Sequence, residues 1–186
     1  GTQGADEVRA FASSVAASLE RVWGAAVAAP TGDLAVVRAQ GVRQGWFELG
    51  PAGALGFLIA ACRELGRRAC PLAVADAYVT ARCVPAAADR IADGSVRPVV
   101  ALGRSDAEVV EFLDGAADAT HVLLLDVERR RARWAPVAAL TATPGLAVPA
   151  WSRAVLGPDG EAVAWAEEAL DVLRLTTAAR ALGAAE

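Results

Sequence analysis

The side chains that could carry out catalysis are few and widely spaced. His121 is the only histidine, so a metal centre would have to use carboxylates and thiols, which show no metal-ligand spacing here. No serine or cysteine lies in a nucleophile elbow, and no glycine pattern between a strand and a helix suits a phosphate loop. Cys62, Cys70 and Cys83 match no zinc or redox motif. We therefore expect no metal site, a structural histidine and three buried thiols.

A basic run in the second half of the chain is the first of two charged clusters that could bind a ligand. It consists of Arg129, Arg130, Arg131 and Arg133 beside Trp134. Guanidinium groups match phosphate oxygens, and a tryptophan could stack on a base. The alternative is a solvated hairpin, which the flanking acidic residues and the acidic composition favour.

An acidic group near the carboxyl terminus is the second cluster. Glu167, Glu168 and Asp171 fall within one predicted helix, where mutual repulsion could raise the pKa of one carboxyl and make it a proton acceptor. The alternative is an exposed acidic helix face, and it is favoured because no electrophile or oxyanion donor is predicted nearby.

Composition limits the classes of partner. The 186 residues carry 18 basic and 22 acidic side chains, a net charge of −4, so the overall field disfavours nucleic acid and anionic membranes. The longest apolar run, Leu55 to Cys62, is too short to span a bilayer, and no charged-then-apolar leader precedes it. Every basic residue is arginine and alanine is abundant, as in GC-rich bacterial genes. We expect a cytoplasmic protein that binds neither nucleic acid nor membrane.

Hydrophobic periodicity predicts helices throughout the first half. The clearest apolar stripe, at helical spacing, consists of Leu55, Leu58, Ile59, Cys62 and Leu65. Five such patterns precede Asp93-Gly94-Ser95, which we take as the boundary between a helical and a β-rich half.

Short β-rich runs separated by turn signals occupy the second half. We predict strands at 99–102, 109–113, 121–125, 131–137, 138–143 and 153–156. No long helix lies between them, so the strands should pair mainly antiparallel. A last helix follows. The expected class is α+β, with an N-terminal helical bundle (1–94), a small mainly antiparallel β domain (95–160) and a C-terminal helix (161–186).

Several segments, taken in order, resemble the acyl-CoA dehydrogenase family. They are Gly45-Trp46-Phe47-Glu48-Leu49, Glu64-Leu65-Gly66-Arg67, Ala92-Asp93-Gly94, the run from Gly115 to Leu124, and Ala181 to Ala185. The resemblance implies a helical first domain and a β middle domain, here shortened, which in the family precede a C-terminal four-helix bundle. That bundle completes the flavin site and is missing from this chain.

The resemblance also implies where a cofactor would bind. The family's flavin-contacting stretch is reduced here to Ala101–Asp106, with only Ser105 and Asp106 kept at its end, so Arg104, Ser105 and Asp106 are the candidate cofactor-binding residues. The family's catalytic glutamate usually lies in the missing bundle. In a minority of members it precedes an arginine on the helix matching 161–183, where this chain has Leu173 before Arg174. Leucine cannot accept a proton.

Three hypotheses follow. In the first, the chain is an acyl-CoA dehydrogenase-like subunit or segment, inactive alone, that forms an acyl-thioester site with a homologous subunit or the missing bundle and holds FAD only with that partner. In the second, it is a repurposed non-redox module that binds acyl-CoA or an acyl carrier protein for dehydration, cyclisation or delivery. The third is a purely structural partner.

Overall fold

The computed structural model describes residues 2–24, 33–143 and 151–186 and confirms the α+β class. Helices fill the first half and the end of the described chain, and strands lie between them. The helices are α1 (Thr2–Val22), α2 (Leu34–Arg43), α3 (Leu55–Arg67), α4 (Val74–Cys83), α5 (Ala88–Ala92) and α6 (Glu168–Ala185). A 3-10 turn, Pro85–Ala87, precedes α5.

The apolar stripe predicted from the sequence forms the inner face of α3. Leu58, Cys62 and Leu65 are fully buried, while Leu55 and Ile59 are partly buried against the same core. Burying a leucine side chain of this size stabilises the fold by roughly 1.5–3 kcal/mol. The central helix of the bundle is therefore held mainly by this one face.

One mixed sheet follows the helices. Its strands are β1 (Pro98–Leu102), β2 (Val109–Asp114), β3 (His121–Asp126), β4 (Arg131–Ala142), β5 (Trp151–Leu156) and β6 (Glu161–Val163). The order is β1-β3-β4-β5-β2, and β6 also pairs with β4. Only the β1–β3 pair is parallel among the described strands, so the prediction of a mainly antiparallel sheet is confirmed.

Strand β4 is longer than the sequence predicts. The two strands expected at 131–137 and 138–143 form one strand, whose first half pairs with β3 and β6 and whose second half pairs with β5. The register with β5 shifts between Val137 and Ala139, directly after Pro136, which cannot donate a backbone hydrogen bond. The irregularity bends the strand and does not end it.

The last helix begins later than the sequence predicts. Residues Glu161–Val163 pair with Trp134, Arg133 and Ala132 as strand β6, and helix α6 starts at Glu168. Three residues are too few to show a strand periodicity, so the pattern of the following helix masked the strand. The division of the chain at residues 94 and 160 stays a prediction.

The two faces of the sheet belong to different apolar clusters. Leu123, Leu125 and Trp134 pack with the helices, whereas Val122 and Leu124 pack in a second cluster with β2 and β5. This alternation follows from the two-residue period of a strand. Residues on β4 therefore face either the helices or the inside of the curled sheet.

None of the described helices combines the length and the apolar character needed to cross a membrane.

Candidate functional site

An apolar groove lies between the last helix and one end of the sheet. Leu102 and Val127 line it from the sheet side, and Leu170 and Leu173 line it from α6. Its volume is about 610 Å³, within the range of small-molecule sites. Leu102 is 62% exposed and Val127 is 43% exposed, so this end of the sheet presents large apolar side chains to solvent.

The sheet side of the groove follows from the parallel pairing of β1 and β3. Leu102 is the last residue of β1 and pairs in register with Leu125 of β3. Val127 follows the last residue of β3. Parallel strands bring their carboxyl ends to the same edge of a sheet, and ligands of α/β sheets commonly bind at such ends. The two apolar side chains therefore meet at one edge.

The helix side of the groove is fixed by close packing of α6 on α3. A methyl group added at Gly66 would lie 2.1 Å from the carbonyl oxygen of Arg180, and one added at Gly183 would lie 2.0 Å from that of Arg63. The two backbones therefore touch where each helix carries a glycine. Glu186 adds ion pairs to Arg63 and Arg67. These contacts fix the position of α6 on α3, and in this position Leu170 and Leu173 line the groove.

The residues Leu173 and Arg174, singled out by the resemblance, both line the groove. Both residues therefore lie on the same groove as Leu102 and Val127, and their match to the family's base position stays a prediction. Arg174 itself pairs with Asp171 at 3.2 Å on the surface.

The three candidate cofactor residues occupy the loop that follows Leu102, but they are engaged with protein groups. Arg104 donates to both carboxylate oxygens of Asp106, at 2.9 and 2.7 Å, and both side chains are largely exposed. Ser105 donates from its backbone N–H and its hydroxyl to Oδ2 of Asp126, at 3.0 and 3.2 Å. That these residues bind a cofactor stays a prediction.

Asp126 is the residue that fixes this loop. Its side chain is almost fully buried and accepts hydrogen bonds from Ser105 and from the backbone and guanidinium of Arg129. The Ser105 backbone N–H, followed by Arg129, lowers the pKa of Asp126 to about 2. The loop is thus tied to the end of β3 by a carboxylate that is ionised at neutral pH. Sequence reasoning treated Asp126 only as an acidic flank of the basic run.

The basic run is divided by the structure into paired and unpaired arginines. Arg129 pairs with Asp126, and Arg130 pairs with Glu167. Arg131 and Arg133 form no ion pair with any described residue. Both line a second cavity, which we call the arginine pocket; its lining includes Ser105, Arg130, Arg131, Arg133 and Gly160.

Trp134 is buried away from this pocket, so the idea that it stacks on a bound base is wrong. Its ring is 5% exposed and packs with the helices. It stacks on His121, with ring centroids 4.6 Å apart. Adjacent residues of a strand face opposite sides, which separates Trp134 from Arg133. His121 is half-buried, and burial lowers its pKa; its structural role stays a prediction.

The remaining candidates take structural roles. Glu167, Glu168 and Asp171 each pair with a different arginine, namely Arg130, Arg82 and Arg174, and this arrangement favours the exposed-face interpretation.

The three cysteines are buried free thiols, as predicted. Burial raises the pKa of each to about 11, so they are poor nucleophiles at neutral pH. In the three described segments, no group of histidine, cysteine and carboxylate side chains is arranged to hold a metal ion.

Comparisons with known proteins give no family. Neither the scan against protein-family models nor the search of curated proteins found a match to this chain.

Proposed function

We propose that the chain is an acyl-CoA dehydrogenase-like subunit or segment that forms one wall of an acyl-thioester site, inactive alone and completed by a partner chain. The observation that carries the proposal is the apolar groove between Leu102, Val127, Leu170 and Leu173. It is open to solvent, is lined by aliphatic side chains from β1, from the turn after β3 and from α6, and suits an extended acyl chain.

The order of elements supports the same proposal. A helical bundle precedes a small sheet, which is the order that the resemblance implies, and a final helix packs on α3. The groove lies beside the Arg104–Asp106 loop, which resembles the family's flavin-contacting stretch. Leu173 lines the groove, and the resemblance matches it to the position where a minority of the family carries the catalytic base. Since leucine cannot accept a proton, we assign the base, and with it FAD binding, to the completed assembly.

The groove can be tested by replacing its exposed apolar residues. We expect Leu102→Gln and Val127→Gln each to weaken binding of a medium-chain acyl thioester by roughly ten-fold, because each removes a large part of one aliphatic contact. The measurement is isothermal titration with octanoyl-CoA and, separately, with octanoyl-pantetheine. Both residues are exposed, so the variants should fold.

Val36→Gln is the matched control. Val36 is 45% exposed on α2 and is not among the residues named for the groove, so the same polar change should leave the dissociation constant unchanged. Equal affinity in the wild type and both groove variants would refute the proposal.

The non-redox module is the second candidate, and the engaged Arg104–Asp106 pair favours it because those side chains already satisfy each other. The two candidates share the acyl groove and differ in flavin. A flavin absorbance spectrum that appears when a homologous chain is added supports the dehydrogenase-like subunit. Acyl binding with no flavin uptake in any mixture supports the non-redox module.

A further inference from the structure

The arginine pocket is a separate cavity on the inner face of the sheet. Arg131 and Arg133 are two residues apart on β4 and therefore face the same side. Arg133 pairs in register with Leu124, whose side chain belongs to the cluster away from the helices. The cavity has a volume of about 400 Å³, which is enough for a small anion and its neighbouring groups.

Arg133 is held in place without losing its charge. Its Nη1 donates to the carbonyl oxygen of Ala107 at 3.0 Å, and its Nη2 donates to that of Gly157 at 3.2 Å. Carbonyl oxygens orient a guanidinium but do not neutralise it. No carboxylate in the described part of the chain pairs with it. A positioned, uncompensated cation therefore lies at the wall of the pocket.

Gly160 makes room for this arrangement. A methyl group at residue 160 would lie 2.4 Å from Nε of Arg133 and 2.8 Å from its Nη2. Any side chain there would displace the guanidinium from the turn between β5 and β6. Because residue 160 is a glycine, the Arg133 guanidinium can lie against the backbone of this turn and line the pocket.

Arg131 supplies the second charge. It is exposed, it makes no ion pair with a described residue, and it lines the pocket with Arg133. The neighbouring Arg129 and Arg130 form ion pairs with Asp126 and Glu167. Two adjacent positive charges thus stay unpaired in a chain of net charge −4, and arginine forks are well suited to bind phosphate oxygens in pairs.

We propose that the arginine pocket binds a phosphate or pyrophosphate group of a small anionic ligand through Arg131 and Arg133. Such a group comes either from inorganic phosphate or pyrophosphate or from a nucleotide. Because Trp134 is buried on the other face of the strand, the pocket recognises the phosphate and not a base. This inference does not depend on the apolar groove.

The test is isothermal titration of the whole chain with pyrophosphate, ADP and adenosine at low ionic strength. We expect pyrophosphate and ADP to bind and adenosine not to bind. A higher affinity for pyrophosphate identifies the inorganic anion as the better ligand, and a higher affinity for ADP identifies a nucleotide. Adenosine binding as tightly as ADP, or no pyrophosphate binding at millimolar concentration, would overturn the proposal.

Three variants separate a built site from a general positive field. Arg131→Gln should weaken pyrophosphate binding roughly ten-fold, since a charge-assisted hydrogen bond is lost. Arg133→Lys keeps the positive charge but replaces the planar guanidinium with an ammonium group. Gly160→Ala keeps every charge but displaces the Arg133 guanidinium. Each of these two should weaken binding several-fold while circular dichroism shows a folded protein.

Arg153→Gln is the matched control. Arg153 lies on β5 and pairs with Glu111 at 2.8 Å, so its loss changes the net charge by the same amount without touching the pocket. Pyrophosphate affinity should stay at the wild-type value. An equal loss in Arg153→Gln and Arg131→Gln would show a non-specific charge effect and would contradict the proposal. Leu102→Gln should leave pyrophosphate binding unchanged, so that failure of the acyl groove and failure of this site are distinguishable.

Discussion

At the scale of single residues, hydrogen-bond partners fix the conformation of the side chains near the groove. Ser105 and Asp126 form one unit, in which the serine N–H and hydroxyl both donate to a buried carboxylate. The same unit fixes the start of the β3–β4 turn through Arg129. The loop that borders the groove is therefore held to the end of β3 by hydrogen bonds.

Asp76 gives a prediction about the pH dependence of stability. Its carboxylate accepts a hydrogen bond from the backbone N–H of Val100 at 3.2 Å. Burial raises its pKa to about 6, and Arg180 opposes this shift only in part. A group with a raised pKa in the folded state contributes stability below its unfolded pKa, and that contribution is lost as the pH rises through the folded pKa.

We therefore expect the Asp76 contribution to the free energy of unfolding to fall between about pH 4 and pH 6, by up to about 3 kcal/mol. Asp76→Asn should remove this fall and be more stable than the wild type above pH 6. Urea unfolding at several pH values measures it, with the exposed Asp159→Asn as control. Parallel stability curves for the wild type and Asp76→Asn would contradict the assignment.

At the scale of elements, the contact between α3 and α6 decides where the groove lies. Gly66 and Gly183 bring the two backbones together, and Leu170 and Leu173 lie on the helix that this contact positions. A residue with a Cβ at either glycine must push the helices apart.

We expect Gly66→Ala to lower the free energy of unfolding by about 1–3 kcal/mol, because its methyl group would overlap the Arg180 carbonyl oxygen. Gly56→Ala, in the same helix, is the matched control. Its methyl group would meet only Val8 Cγ2 at an ordinary 3.7 Å, so it should be neutral or more stable by up to about 1 kcal/mol. Thermal unfolding of both variants checks the pair, and equal stability in the two would show that the close contact is absent.

Sequence periodicity was sufficient for the elements that bury one face. The stripe on α3 was predicted correctly because it repeats its apolar positions several times, and most of the strands because turn signals bound their β-rich runs. Strand β6 was missed because three residues carry no period. The two strands predicted between residues 131 and 143 are one strand, which continues through the register shift after Pro136.

The candidate sites depended on contacts between residues far apart in sequence. Sequence reasoning grouped four arginines as one basic run. In the structure Arg129 pairs with Asp126 and Arg130 pairs with Glu167, whereas Arg131 and Arg133 form no ion pair with a described residue. The groove also needed the fold, because it joins the ends of two parallel strands to α6. The sequence feature that could have indicated the groove was Val127, an apolar residue at the start of a charged turn.

At the scale of the whole molecule, two chemically different cavities adjoin the loop after β1. Leu102, before this loop, lines the apolar groove, and Ser105, within it, lines the arginine pocket. An aliphatic surface and an uncompensated cationic surface thus lie close to one short segment. This arrangement agrees with our proposal that the chain contributes binding surface, while the proton acceptor and the flavin come from the completed assembly.

The most direct measurement of the central claim is photolabelling with an acyl thioester that carries a diazirine on its acyl chain, followed by mass spectrometry of the peptides. Our account predicts labels on the segments containing Leu102, Val127 and Leu170 to Leu173, with labelling suppressed by excess unlabelled thioester. Labels that are confined to other segments, or that excess thioester does not suppress, would contradict it.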